Sequence, residues 1–150
     1  MRTQIVEFLA DLYQIHTTEH VHQAFAEADL YNTLLFYFEY HPYHNILHQR
    51  VTQIFTLGLD RNHDDVINHL LYQTSLIRRI LDTSKLLYVG NNDGGFHTFT
   101  GTSGHYVARG FLVFIRKLAN KLVEMQKANE EISSFLESIP EWAEYYDNEL

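Results

Sequence analysis

The residues best suited to chemistry in this sequence are three histidines near its first proline. His41, His44 and His48 lie within the stretch HPYHNILH. Because His44 and His48 are four residues apart, both imidazoles could face one metal ion from the same side of a helix. The stretch therefore raises the question of a metal site.

The same stretch also fits a turn between two packed helices. Pro42 can end the preceding helix and Asn45 can cap the next one, which leaves the histidines to hydrogen-bond at the turn. No glutamate lies between His44 and His48, although the zinc-protease helix requires one. We favour the structural turn over the metal site.

His63 and Asp64 form a second candidate metal-binding pair. The dipeptide resembles the signature of HD-type metal phosphohydrolases, so a helical phosphohydrolase with His44, His48, His63 and Asp64 as ligands is the alternative function. The simpler interpretation is that Asp64 and Asp65 open a helix, because backbone amides in a first helical turn favour acidic side chains. We favour this interpretation and predict no bound metal or cofactor.

A glycine-rich segment later in the chain matches neither common phosphate-binding loop. The run VGNNDGGFHTFTGTSG holds five of the seven glycines but contains neither GxGxxG nor GxxxxGK[ST], and no strand precedes it. Ser103, beside Gly104 and His105, lacks the strand–turn–helix context of a serine nucleophile. We predict one long loop over residues 88–103 and no catalytic residue.

Acidic residues dominate the charge of the chain. Its 150 residues carry a formal net charge of −8, from 19 acidic and 11 basic residues, and include no cysteine. Such a charge repels nucleic acid and anionic membranes, and the absence of cysteine agrees with a reducing compartment. We therefore expect a cytoplasmic protein, with the nucleus left open, and neither nucleic acid nor a membrane as a partner.

Arginines on the two longest predicted helices are candidates for binding a partner. Arg78 and Arg79 precede the glycine-rich segment, and Arg109 and Arg116 follow it. On an acidic chain they could dock a carboxylate-rich protein surface, and a solvated helix face is the alternative.

Apolar residues recur at helical spacing along nearly the whole chain, and no stretch alternates as a strand would. The first helix should bury Ile5, Phe8, Leu9 and Leu12, and a helix from about Asn45 should end near Gly58. The remaining predictions are a helix capped by Thr18, one capped by Asp29, helices over 62–72 and 74–87, a long one from 103 or 104 toward 126, and two short ones over 130–137 and 141–147, the last started by Pro140.

The arrangement of these helices predicts the fold class. A short helix entering a longer one recurs over 19–38 and 63–87, a period of roughly 40 residues, which is typical of armadillo and HEAT repeats. We predict an all-α, armadillo- or HEAT-like helical-repeat stack that forms a single domain over residues 1–150 and is part of a longer solenoid. An irregular closed helical bundle is the alternative. Exposed repeat ends would be apolar, so we also expect self-association.

Several stretches resemble the SAPS domain in order and spacing. LLFYFEYHPYHNILHQRV (34–51) is similar to its leucine-rich run, aromatic pair and YPxxNxLH turn. INHLLYQTSLIRRILD (67–82) and SGHYVARGFLVFIRKLAN (103–120) resemble the helices on either side of its variable insertion, and residues 2–35 and 142–150 also agree. Tyr43 and His44 replace the family's usual Trp-Asn, and about nine extra residues follow Gly104-His105. The chain therefore resembles the later part of the domain as a divergent member.

This resemblance carries functional expectations. SAPS proteins are phosphatase-associated regulatory subunits of protein phosphatase 6 and its yeast counterpart. The resemblance implies a non-catalytic, armadillo-like scaffold that binds a Ser/Thr phosphatase catalytic subunit and directs its substrate choice. It also implies structural roles for the turn motif Pro42, Asn45, Leu47 and His48, and for Gly104 and His105 at the start of a later helix.

Overall fold

A computed structural model describes residues 3–15, 19–41, 43–61, 64–89 and 109–150. These residues form α-helices and one π-helical turn without any strand, which confirms the predicted all-α class. The chain divides into two compact units, residues 1–76 and 77–150. The single repeat domain over residues 1–150 stays a prediction, as does the armadillo-like repeat.

The first unit is built around one central helix. Its elements are α1 (Thr3–Ile15), α2 (Glu19–Glu27), α3 (Leu30–Tyr40), α4 (Asn45–Asp60), α5 (Asp64–Asn68) and a π-helical turn (His69–Gln73). The helices α1, α3 and α5 and the π-helical turn all pack against α4. Helix α4 buries the face predicted from its periodicity, namely Leu47, Val51, Ile54 and Phe55.

Helices α1 and α4 lie side by side and run in the same direction. Near their starts, the side chains of Thr3 and His44 are 2.9 Å apart. Farther along, the amide of Gln53 donates to Gln14 at 2.8 Å. This pairing brings the end of α1 to the second half of α4.

The predicted inward face of α1 was wrong. Helix α1 buries Val6, Ala10 and Tyr13, whereas Ile5 is 49% exposed and Phe8 is 64% exposed. Helix α1 carries apolar residues on two sides. The core takes the side with the small Ala10, which allows close helix approach, and with Tyr13, whose hydroxyl has partners inside the unit.

Gly58 does not end its helix as predicted. It lies inside α4, which continues to Asp60. A Cβ at Gly58 would lie 2.7 Å from the hydroxyl oxygen of Tyr13 and 3.0 Å from Cδ1 of Leu70. The glycine therefore provides room for tertiary contacts rather than a helix end.

The second unit contains α6 (Leu76–Val89, beginning at the last residue of the first unit), α7 (Arg109–Ala128), α8 (Glu130–Glu137) and α9 (Pro140–Glu149). The predicted bounds of α8 are confirmed, and Pro140 is at the start of α9 as expected. Helix α6 includes Tyr88 and Val89, which we had assigned to the glycine-rich loop. The rest of that loop, Gly104 and His105 lie outside the described residues.

Within the described part of the chain, no helix has the length and apolar character needed to cross a membrane.

Candidate functional site

His44 caps α4, the position that we had predicted for Asn45. The Nδ1 atom of His44 accepts a hydrogen bond from the backbone N–H of Leu47 at 3.3 Å, and its Nε2 lies 2.9 Å from Oγ1 of Thr3. Asn45 is instead the exposed first residue of the helix. The imidazole of His44 thereby links the start of α4 to Thr3 on α1.

His48 links α3 to α4. It is fully buried, its Nε2 donates to the carbonyl oxygen of Phe38 at 3.0 Å, and its ring packs edge-on against the Phe38 ring with centroids 4.7 Å apart. Burial lowers the pKa of His48 to about 4, although hydrogen bonds to backbone carbonyls oppose the shift. His48 is therefore neutral near pH 7. Pro42, the other end of the turn motif, lies outside the described residues.

The alternative metal ligands do not come together in the described part of the chain. Both ring nitrogens of His44 contact other groups, as given above, and Asp64 lies on a pocket whose walls include neither His44 nor His48. No three histidine, aspartate or glutamate side chains among the described residues are placed to hold a metal ion. His63 is outside those residues.

The four candidate partner-binding arginines belong to the second unit. Arg78 is exposed on α6; its Nε donates to Asp82 at 3.1 Å, and its Nη1 lies 3.7 Å from a carboxylate oxygen of Glu141. Arg79 is half-buried on α6 and Arg116 is exposed on α7, whereas the side chain of Arg109 is not among those described. Because exposed ion pairs contribute less than about 1 kcal/mol, Arg78 can exchange its partners for carboxylates on another protein.

The first unit contains a buried polar network that the sequence pattern did not indicate. The hydroxyl of Tyr13 lies 2.7 Å from Nδ1 of His22 and 2.9 Å from the hydroxyl of Tyr31. Nη1 of Arg61 lies 3.0 Å from Nε2 of His22, and its Nη2 donates to the Tyr13 carbonyl at 2.6 Å. The network thereby joins α1, α2, α3 and the end of α4.

Burial controls the protonation of the two phenols in this network. Desolvation raises the pKa of Tyr31 to about 12 and raises that of Tyr13 still further. Both therefore remain protonated at physiological pH, and each can donate its hydroxyl proton to a neighbour. The network is polar, but its phenols are not poised for acid–base catalysis near pH 7.

An open pocket of about 540 Å³ adjoins this network, and its walls include His22, Gln23, Tyr31, Asp64, Asp65 and His69. His69 is 9% exposed, and its ring centroid lies 5.2 Å from that of Tyr31. None of the described residues hydrogen-bonds to its buried Nε2. A buried unpaired polar atom costs about 1–3 kcal/mol. Burial lowers the pKa of His69, and the carboxylate of Asp29 opposes that shift.

Sequence reasoning missed this pocket. His22 and His69 are far apart in sequence and follow no metal-ligand spacing. Both histidines lie in stretches whose apolar spacing indicated only ordinary helices. A π-helical turn carries His69, where we had predicted a regular helix. The acidic start of α5 at Asp64 and Asp65 was an available signal, and there we had favoured a helix start over a metal site.

These features define a class of protein before any comparison is made. The described residues form helices joined by short turns, without any strand, and they present exposed arginines in the second unit and a polar pocket in the first. That combination defines an all-α helical protein.

The chain belongs to the SAPS family. The family model described as SIT4 phosphatase-associated protein matches residues 2–150, which confirms the resemblance. We found no significant match among curated proteins and none among solved structures. The family is a phosphatase-associated regulatory family, so its members associate with a phosphatase catalytic subunit rather than acting as the catalyst.

Proposed function

We propose that this protein is a non-catalytic regulatory subunit that binds a Ser/Thr phosphatase catalytic subunit of the protein phosphatase 6 type and directs its substrate choice. The observation that carries the proposal is the family match over residues 2–150. The geometry of the described residues is compatible with it, because the polar groups brought together there serve packing and hydrogen bonding.

The proposed contact surface includes Arg78, Arg79, Arg109 and Arg116. Arg78 already binds two carboxylates of its own unit, Asp82 and Glu141, so its guanidinium is suitably placed to receive carboxylates from outside. Arg116 adds a second exposed guanidinium on α7. A carboxylate-rich surface on the catalytic subunit would complement these arginines.

Binding of the full chain to a purified phosphatase catalytic subunit of this type tests the proposal. We expect saturable binding by interferometry, weakened about tenfold by Arg116→Glu, because a reversed rim charge slows association and repels the carboxylates. Lys127→Glu is the matched control, since Lys127 is also exposed on α7 and the charge change is equal. Absence of binding by the wild-type chain contradicts the proposed function, whereas equal loss with both variants contradicts only the proposed arginine surface.

Substrate direction is tested separately with a panel of phosphopeptides. We expect the chain to change the relative dephosphorylation rates across the panel while hydrolysing none of the peptides alone. A uniform change in all rates would contradict a role in substrate choice. We propose the cytoplasm as the location of this complex, and fluorescence imaging of the tagged protein distinguishes it from the nucleus.

A further inference from the structure

The groups around His22 fix which of its ring nitrogens carries the proton. An arginine side chain donates hydrogen bonds and cannot accept them. Since Nη1 of Arg61 lies 3.0 Å from Nε2 of His22, this Nε2 accepts and carries no proton. The single proton of the neutral ring is therefore on Nδ1, which donates to the hydroxyl oxygen of Tyr13 at 2.7 Å. The Tyr13 hydroxyl in turn donates to that of Tyr31 at 2.9 Å.

Arg61 links the end of α4 to two other helices through this arrangement. It directly follows α4, and besides His22 on α2 it contacts Tyr13 on α1. Its Nη2 donates to the Tyr13 carbonyl at 2.6 Å, and its guanidinium carbon lies 5.0 Å from the centroid of the Tyr13 ring. The Arg61 side chain is only half-buried, so water can replace these partners.

Protonation of His22 would turn its contact with Arg61 from attractive to repulsive. An imidazolium donates from both nitrogens, so Nε2 and Nη1 would then be two donors of two cations at a separation of 3.0 Å. The bond from Nδ1 to Tyr13 does not change, which keeps the buried ring in place. The half-buried guanidinium is therefore the group that moves.

The other titratable groups near His22 do not reverse this effect. They come from α1, α3, α5 and the π-helical turn, namely Tyr13, Tyr31, Asp64, Asp65 and His69. The two tyrosines stay protonated, and burial lowers the pKa of His69, so none of the three adds a charge near pH 7. The two aspartates are exposed and screened by water, and their charge favours an imidazolium.

We propose that His22 is a pH switch that controls the position of Arg61. The neutral ring holds the guanidinium in the network, and uptake of a proton from water at Nε2 releases the guanidinium to solvent. The release removes the link that Arg61 makes between the end of α4 and the helices α1 and α2. The switch lies within the first unit and operates in the chain alone, so it does not depend on the proposed phosphatase function.

NMR of the nitrogen-15-labelled full chain tests both states of the switch. At pH 7 we expect the His22 proton on Nδ1, and two resolved Nη resonances for Arg61 because its contacts hinder rotation of the guanidinium. As the pH falls toward 5, the ring should become an imidazolium and the two Nη resonances should merge as rotation becomes free. Both changes should share one midpoint.

Two glutamine substitutions on α2 provide a matched comparison. His22→Gln retains an acceptor for Arg61 but does not titrate, so the Nη resonances should stay resolved at pH 5. His20→Gln removes an exposed imidazole from the same helix and should behave as the wild type does. Arg61→Gln removes the cation, so His22 should take up its proton about one pH unit higher than in the wild type.

Four results in the wild-type chain or the variants would overturn the inference. They are a proton on Nε2 of His22 at pH 7, Arg61 resonances that stay resolved at pH 5, release of Arg61 in the His22→Gln variant, and loss of the release in the His20→Gln variant. An unchanged His22 titration in Arg61→Gln would contradict the repulsion on which the switch depends. The first two results come from the wild-type chain, so they hold whether or not a variant folds.

Discussion

Gly58 shows how a single residue in the middle of a helix can serve a distant contact. Glycine in a helix interior normally costs about 1 kcal/mol relative to alanine. Here the space of a missing Cβ is taken by the hydroxyl of Tyr13 on α1 and a methyl group of Leu70. The glycine thus allows α1 and α4 to approach with the polar network intact.

We expect Gly58→Ala to destabilise the protein by about 1 kcal/mol, because the clash with the Tyr13 hydroxyl at 2.7 Å outweighs the gain in helix propensity. Tyr13→Phe removes the clashing oxygen, so in that background the same substitution should be neutral or stabilising. Urea unfolding of the wild type, the two single variants and the double variant gives the coupling free energy between the two substitutions. A stabilising Gly58→Ala in the wild-type background would show that the contact relaxes without cost.

At the scale of elements, the pairing of α3 with α4 depends on a neutral His48. Its Nε2 donates to the carbonyl of Phe38, two residues before the end of α3, and the ring packs on the Phe38 side chain. Protonation would place a charge in a fully buried position. The pairing of these helices should therefore weaken in acid.

The direction of this pH dependence follows from the pKa values. His48 has a pKa of about 4 when folded, compared with an ordinary value of 6.5. The unfolded chain therefore binds a proton first, and the stabilisation is complete above about pH 6.5 and is lost as the pH falls toward 4. We expect His48 to lower the free energy of unfolding by on the order of 1–2 kcal/mol between pH 7 and pH 5.

Urea unfolding of the wild type and of His48→Gln at both pH values measures this effect. Glutamine can still donate to the Phe38 carbonyl but does not titrate. The variant should therefore be less stable at pH 7, with the difference shrinking at pH 5, while contributions from His69 and the carboxylates cancel. A difference that is the same at both pH values would contradict the buried, neutral state of His48.

At the scale of the whole molecule, an exposed apolar stripe on α1 opposes a strong net charge. Ile5, Phe8 and Ile15 are 49%, 64% and 72% exposed, and the chain carries a formal charge of −8. Apolar surface of this kind favours association, whereas like charge resists it. The predicted self-association should therefore strengthen when added salt screens the charge.

Sedimentation velocity over a range of protein and salt concentrations checks this prediction. We expect Phe8→Glu to reduce association while changing the free energy of unfolding by less than about 0.5 kcal/mol, since the side chain is exposed. Gln4→Glu is the control, because it adds the same charge at an exposed position of α1 without removing apolar surface. A wild-type chain that stays monomeric at every concentration and salt would refute the prediction.

Local signals in the sequence were enough for the helices themselves. Apolar spacing predicted the buried face of α4, and the bounds of α8 and the starting proline of α9 were also correct. The family resemblance, which depends on order along the chain, was equally accessible. The helix faces and helix ends depend on residues within a turn or two of each other, and helical periodicity reflects those short distances directly.

Only the tertiary structure decided which polar and apolar groups meet. In that structure His44 caps α4, the apolar stripe of α1 is exposed, and Gly58 has a packing role. It also assembled the pocket around His69 from α2, α3, α5 and the π-helical turn. These outcomes depend on contacts between residues far apart in sequence. Side-chain shape and the cost of burying each polar group determine such contacts. The periodicity within one helix carries no information about side-chain shape or about that cost.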